Sequence, residues 1–492
     1  MKMNSTKLVI LFCLLAGVRI FVFSAAFPFF INVDENAHYD MICKYAAGHI
    51  PTRLEHYSEE TACMTPLCGS REYYTDWFEY GSYEANTPPW TIPNATTALE
   101  GYQEAKQAIL DMTNHESTQA PLYYLVAGGW HDLGKALGIR GGMLLYWLRF
   151  LNIPIFMLLV WIAYLITRKL SPGNTWLNLG VPAMLVIFPQ DVFYGLNSDV
   201  LTALLATLSL YLMIVYLLEN RGMGFCILAG LSVAAAFLTK MTNLPLPVMF
   251  GGILAAKMVR SRQKGEFRRH IPGLIAIVLA AAIPIGAWLI RNQLVLGDFS
   301  GCHTKIVRLS WTVKSFGQMF HHPIFTPGGA AYFLGELTRT LWRGEIVWHK
   351  VRIASVTADI IYVATSWAFL PAAAALIWRR KEERFAGVVN FLVLGVSVAF
   401  LAGLSLIYDF HDCRYPSREL PYFTSGRLIL GALVPFLMLY LVGLGAILDW
   451  LKIGRLRWTV LSLILLLALG SEVLITRHVF ASAYNFYHML GR

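Results

Sequence analysis

The stretch Phe30 to Asp40 reads FINVDENAHYD and follows an apolar run that starts at Leu8. Two adjacent carboxylates, Asp34 and Glu35, and a histidine, His38, therefore stand where a membrane helix should leave the lipid. A carboxylate there faces low dielectric on one side and water on the other. That placement raises its pKa and suits a general base. Ionisable groups at membrane depth are functional candidates by default; the plainer alternative is a hydrated helix end. The continuation DENAHYDMICKYAAGHIP reads as an amphipathic helix that stops at Gly48 before Pro51. His38, Ile42, Tyr45 and Ala46 share one face, so this helix could lie on the membrane with the acids at its start.

Four further constellations carry polar chemistry. NHESTQAPLYYL, Asn114 to Leu125, leads polar groups and Gln119 into a proline and then Tyr123 and Tyr124. Proline suits a helix start and paired tyrosines suit an interface. In GLNSDV, Asn197, Ser198 and Asp199 precede an apolar run, where helix capping is the simpler role. FLTKMTNLP puts Lys240 at the end of one apolar run, and SGRLILG puts Arg427 at the start of another. Either base could snorkel toward water or bind a phosphate, arginine by a bidentate grip.

The elements that must position these residues are membrane helices. The chain has 492 residues, 56% hydrophobic and 14% charged, with a mean hydropathy of +0.53. Soluble chains carry about 25% charge, so this composition belongs to a polytopic membrane protein. The net charge of +10 does not point to nucleic acid, because basic residues cluster between apolar runs as orientation signals do. Apolar runs at about 8–30, 142–167, 176–194, 198–218, 222–239, 243–259, 271–290, 359–378, 386–408, 427–448 and 458–476 each approach the ~20 residues needed to cross. The segment 120–137 is shorter and holds His131, Asp132 and Lys135, so it is expected to lie at the interface or to dip in and return.

The basic clusters Arg260–Lys264, Arg379–Lys381 and Lys452–Arg457 mark the cytoplasmic side, and eleven crossings then place the N-terminus inside. Two long outer loops follow, 31–141 and 291–358. The first is acidic and the second basic, with Lys305 and Arg308 near its start; a basic outer loop suits an anionic ligand or lipid headgroups. The whole of 1–492 reads as one all-α membrane domain with amphipathic helices in both loops and no separate soluble domain. Cys63 and Cys68 are close enough in sequence for a local disulfide, with free thiols as the alternative. No Cys/His spacing typical of a metal site stands out.

The order of these motifs resembles the GT-C superfamily of polyprenyl-phosphate-sugar-dependent glycosyltransferases. It is similar to the protein O-mannosyltransferase and aminoarabinose-transferase group, and to a bacterial branch of uncharacterised membrane proteins. The likeness runs from Asp34 to Pro435. It departs where Ala120-Pro121 replaces a Pro-Pro, where Ser425-Gly426-Arg427-Leu428 replaces QGRY, and where Ser117-Thr118-Gln119 replaces a His-Pro-Pro element. The resemblance implies a bundle of about 11–13 transmembrane helices in the bacterial inner membrane, with an extracytoplasmic site. It implies transfer of a sugar from a polyprenyl phosphate or diphosphate to a glycan, lipid or protein acceptor by inverting displacement. Asp34 takes the role of base, with Glu35 as its support or substitute. Lys240 and Arg427, then Arg418 and Arg308, take the donor phosphate. His38, Gln119, Tyr123, Tyr124, Asn197 and Asp199 shape the sugar site. No metal ligand is assigned, and the superfamily contains both divalent-metal users and others. A transporter or flippase of lipid-linked sugars is the alternative, but it should show internal repeats, and no clear repeat is present.

Overall fold

A chain with long apolar runs can satisfy its backbone in lipid by forming helices. The computed structural model describes residues 5–32, 34–70, 88, 94, 101–263, 265, 267–348, 351–411 and 421–489. These are mainly helical, with two small antiparallel ribbons: Thr312–Val313 against Tyr408–Asp409, and Val347–Trp348 against Val351–Arg352. Among the described residues, nine helices are long and apolar enough to cross a membrane: Ser5–Ala26, Gly142–Leu170, Asp199–Leu218, Met241–Gln263, Arg268–Leu296, Val356–Arg379, Lys381–Ile407, Gly426–Trp450 and Gly454–His488. Two shorter apolar helices, Thr175–Val186 and Met223–Thr239, complete the eleven apolar runs of the sequence. The chain is a multi-pass membrane protein. Most of its buried apolar residues form one cluster reaching from Val9 to Phe486, and Ala37, Tyr57, Ala62 and Ile109 form a small second one.

Between the first two spans lie the helices Glu35–Ala46, Glu59–Cys68, Tyr102–Asp111 and Leu122–Ala136. Leu122–Ala136 has 15 residues. At 1.5 Å per residue it is about 22 Å long, short of the ~30 Å hydrocarbon core. Its Trp130 stacks on Trp147 with ring centroids 4.3 Å apart, and each indole N–H donates to the other residue's carbonyl, at 2.7 and 2.8 Å. The helix Glu35–Ala46 differs from the surface-lying helix its pattern suggests. It is buried on nearly every side, beneath Glu59–Cys68 and Leu122–Ala136. Its polar residues meet partners in that cover rather than water. Cys63 and Cys68 are both free thiols.

Close helix packing needs small residues where backbones meet. At Gly443, in the helix Leu433–Trp450, a Cβ would lie 1.8 Å from the Phe369 carbonyl oxygen of Val356–Arg379. Buried charges join distant segments. Arg19 of the first span grips Glu472 of the last at 2.6 and 3.1 Å and donates to the Phe188 carbonyl at 2.9 Å. Arg149 grips Glu35 at 2.7 and 2.6 Å, with both side chains 0% exposed. The remaining guanidinium N–H groups donate to the carbonyls of Ser24, Phe27 and Pro28, where the first span ends. Glu35 in turn accepts from the backbone N–H of Phe30 at 2.8 Å and of Leu196 at 2.9 Å.

Removing one partner of a buried pair leaves an uncompensated charge, at a cost of about 3–5 kcal/mol. Arg149→Met should therefore lower the thermal unfolding midpoint in detergent sharply. The double variant Arg149→Met/Glu35→Gln should recover part of the loss.

Candidate active site

Asp34 occupies the N-cap position of the helix Glu35–Ala46. Its backbone is left-handed, with φ 61° and ψ 14°. Aspartate tolerates this conformation better than most residues. The carboxylate does not cap its own helix. It instead accepts from Arg427 Nη2 at 3.1 Å and lies 3.2 Å from His115 Nε2. Arg427 extends to Asp199, with Nη1 3.5 Å from Oδ2, and Lys240 donates to the other Asp199 oxygen. Residues far apart in sequence thus form one chain: Asp34, Arg427, Asp199 and Lys240. Three membrane helices present their ends to it, Asp199–Leu218, Met223–Thr239 and Gly426–Trp450.

A second chain leaves Asp34 through His115. His115 Nε2 is 3.5 Å from Glu116, and Glu116 accepts from Lys305 at 2.6 Å. The loop 114–117 is held by Asp40, which is fully buried on the Asp34 helix. Asp40 accepts from the Asn114 amide at 2.7 Å and the Ser58 N–H at 2.7 Å, and it pairs with Lys44 at 2.9 Å. Asn114 also donates to the Ala37 carbonyl at 3.0 Å. His115 and Glu116 therefore ride on the helix that Asp34 begins. Asp34, His115 and Glu116 each offer a ligand atom within 4.8 Å of the others.

Electrostatics correct the expectation of a raised Asp34 pKa. Burial pushes the carboxyl up, but the His115 hydrogen bond and the charges of His115, Arg427 and Lys305 outweigh it, and the group stays well below the usual carboxylate range. Glu116 follows the same pattern: burial raises it, Lys305 opposes, and it falls to about 2. Burial lowers His38 to about 4, so its ring is neutral. His38 Nδ1 lies 2.9 Å from the Tyr124 hydroxyl, and the two rings stack. Tyr123 and Tyr124 are both buried.

The geometry sorts the residues singled out in the sequence. Asp34, Lys240, Arg427 and Asp199 come together, with His38 on the helix that Asp34 begins and Tyr124 on the adjacent Leu122–Ala136. Glu35 does not join them. Its two oxygens are fully engaged by Arg149 and two backbone N–H groups, so support of Asp34 by proton transfer gives way to support by position. Asn197 spends its amide on the carbonyls of Val192 and Gly195 and accepts from the Asp199 N–H, so it shapes its own loop. Gln119 is half-buried in the loop of His115. Arg308 is exposed, one turn beyond Lys305. Arg418 lies outside the described residues. Sequence reasoning gave His115 and Glu116 no individual role and named Lys305 only as part of the basic second loop. Their signal was the density of donors and acceptors in NHES and the basic start of the second loop.

Arg427 is delivered by a tight turn. The Ser425 hydroxyl donates to Glu345 at 2.5 Å, the Thr340 hydroxyl donates to the Thr424 carbonyl at 2.6 Å, and the Gly426 N–H donates to the Thr340 hydroxyl at 2.9 Å. At Gly426 a Cβ would lie 2.1 Å from the Leu341 backbone nitrogen, in the helix Pro327–Arg343. Only glycine fits that approach without moving backbone.

A family model described as "Predicted membrane protein (DUF2142)" matches residues 14–407. No curated protein matches the chain. Among solved structures, the chain is similar to ArnT from Cupriavidus metallidurans bound to undecaprenyl phosphate, at 13% identity and a TM-score of 0.46, over 99% of this chain and 75% of that one. It is also similar to the Archaeoglobus fulgidus oligosaccharyltransferase in complex with Zn and sulfate, at 14% identity and a TM-score of 0.36, over 75% of this chain and 45% of that one. The chain spans less than half the length of the oligosaccharyltransferase.

Gly426→Ala forces the turn away from Leu341 and draws Arg427 with it. Overpacking of this kind costs about 1–3 kcal/mol. A lower thermal midpoint than wild type, measured in detergent, is the expected result.

Proposed function

The chain belongs to the DUF2142 family of membrane proteins, and from that premise we propose that it is a GT-C-type glycosyltransferase. In this reading it takes a sugar from a polyprenyl phosphate or diphosphate and passes it to an acceptor outside the cytoplasm. The observation that carries the reading is the Arg427 bridge, 3.1 Å from Asp34 and 3.5 Å from Asp199. It holds a carboxylate that can take a proton beside cations that can take a phosphate. An apolar cavity of about 320 Å³ supports the same donor. Leu337, Leu341, Trp367 and Phe436 line it, as does Ile429, two residues from Arg427.

In the proposed reaction Asp34 accepts the proton of the acceptor hydroxyl as that oxygen attacks the anomeric carbon. The bond from the anomeric carbon to the phosphate oxygen breaks, and its electron pair leaves with the phosphate. Arg427 and Lys240 exchange their carboxylate partners for the phosphate oxygens and stabilise the charge that develops there. Attack from the face opposite the phosphate inverts the anomeric centre. In this reading neutral His38 and Tyr124, which now pair with each other, would turn to sugar hydroxyls, and Tyr123 and Gln119 would help shape the sugar site. Asp34, His115 and Glu116 would also suit a divalent cation, which would add positive charge near the phosphate. The site end is read as extracytoplasmic because Arg260–Lys264, Arg379–Lys381 and Lys452–Arg457 join the spans at their other ends.

The test uses purified protein in lipid with a radiolabelled panel of polyprenyl-phosphate sugars. Wild type should release and transfer sugar. Asp34→Asn should bind donor but turn over about 10²- to 10⁴-fold more slowly, the usual worth of a general base. Donor binding without turnover in either protein would favour a transporter of lipid-linked sugars.

A further inference from the structure

A second cluster of ligating side chains lies on the same helix as Asp34. Cys43 sits about 2.5 turns further along. Glu60 belongs to Glu59–Cys68 and His131 to Leu122–Ala136. The Cys43 sulfur, a Glu60 carboxylate oxygen and a His131 ring nitrogen all lie within 4.8 Å of one another. We propose that Cys43, Glu60 and His131 bind a divalent transition-metal ion, with Zn²⁺ the best chemical match, and that this ion pins the Asp34 helix to its two neighbours.

Three observations carry the proposal. The first is the donor set. Thiolate, imidazole and carboxylate together select zinc-like cations over Mg²⁺ or Ca²⁺, which prefer oxygen alone. The second is the orientation of His131. Its Nδ1 lies 3.2 Å from the Asp132 carboxylate, an acceptor for the Nδ1 proton, so the neutral ring held this way turns Nε2 toward Cys43 and Glu60 as a ligand. The third is that Nε2 is buried and makes no hydrogen bond among the described residues, while the His131 side chain is 2% exposed. An imidazole nitrogen left so carries a desolvation cost that an apolar residue would avoid. A carboxylate behind a histidine whose other nitrogen faces a thiol and a second carboxylate is an arrangement that suits a bound zinc.

The spacing needs little adjustment. Zinc bonds of about 2.0–2.3 Å in tetrahedral geometry set ligand atoms roughly 3.3–3.8 Å apart. His131 Nε2 and Glu60 Oε1 are already separated by 3.8 Å. Two other groups touch Glu60: the Tyr39 hydroxyl at 3.4 Å and the Lys135 ammonium at 3.5 Å. Lys135 is half-exposed and can turn to water when a dication takes its place. Water would complete the fourth position. Binding converts the Cys43 thiol to a metal thiolate and releases one proton, with no change of oxidation state.

The experiment titrates Co²⁺ into the full-length protein purified in detergent under reducing conditions, and then displaces it with Zn²⁺. The expected result is one tight ion per chain, a sulfur-to-cobalt charge-transfer band and release of a proton. Cys43→Ser and His131→Gln should abolish the band, and Asp34→Asn should leave it intact. Asp132 is exposed, so Asp132→Asn should fold normally yet weaken affinity about 10- to 100-fold. Zn²⁺ should raise the thermal midpoint of wild type but not of His131→Gln. Absence of a thiolate band in folded wild type would overturn the proposal. So would a band that survives both Cys43→Ser and His131→Gln, or one that vanishes in Asp34→Asn.

Discussion

The buried pair of Glu35 and Arg149 is the constraint on which the site depends. A buried ion pair adds little to net stability by itself. Its value here is positional. Arg149 sits on the second span, and its guanidinium gathers three carbonyls from the end of the first span together with both Glu35 oxygens. Glu35 then takes the Leu196 N–H, which fixes the loop leading to Asp199. One fully desolvated contact thereby sets the exit of the first helix, the start of the Asp34 helix and the approach of Asp199. Without it, the carboxylates at 34 and 199 would have no reason to share one arginine.

The site is self-neutralising at rest. Asp34, Asp199 and Glu116 are matched by Arg427, Lys240 and Lys305, three acids against three bases. Such a balance lets charged groups persist in a place of low dielectric. It also means that an arriving anion competes with built-in counter-ions rather than entering an empty positive pocket. Whatever displaces Asp34 from Arg427 removes one of the charges that hold its pKa down. In the proposed reaction, binding and basicity would thus be coupled through one guanidinium.

Much of the scaffold was legible in the sequence. Each of the eleven apolar runs became a helix, because composition and length leave lipid-spanning segments few choices. The meeting of Asp34, Asp199, Lys240 and Arg427 was foreshadowed by their common position at span ends. The distinct duties of Asp34 and Glu35 were not. Adjacent acids look alike until a buried arginine 114 residues away claims one of them. The lowered Asp34 pKa was hidden for the same reason, since His115, Arg427 and Lys305 come from three other parts of the chain. The helix after Asp34 also hid its burial. Its amphipathic pattern is real, but its polar face meets Ser58, Asn114 and Tyr124 instead of solvent.

The left-handed backbone at Asp34 gives the Asp-Glu dipeptide a direction. Position 34 needs a short acid that accepts φ 61°, whereas position 35 needs an arm long enough to fill the guanidinium of Arg149. Transposed to Glu-Asp, the pair would keep its charge, hydropathy and composition. It would set a longer side chain in the strained position and leave a shorter one reaching for a buried cation. Charge counting alone would treat the two orders as equivalent, and the geometry of this turn makes them different molecules.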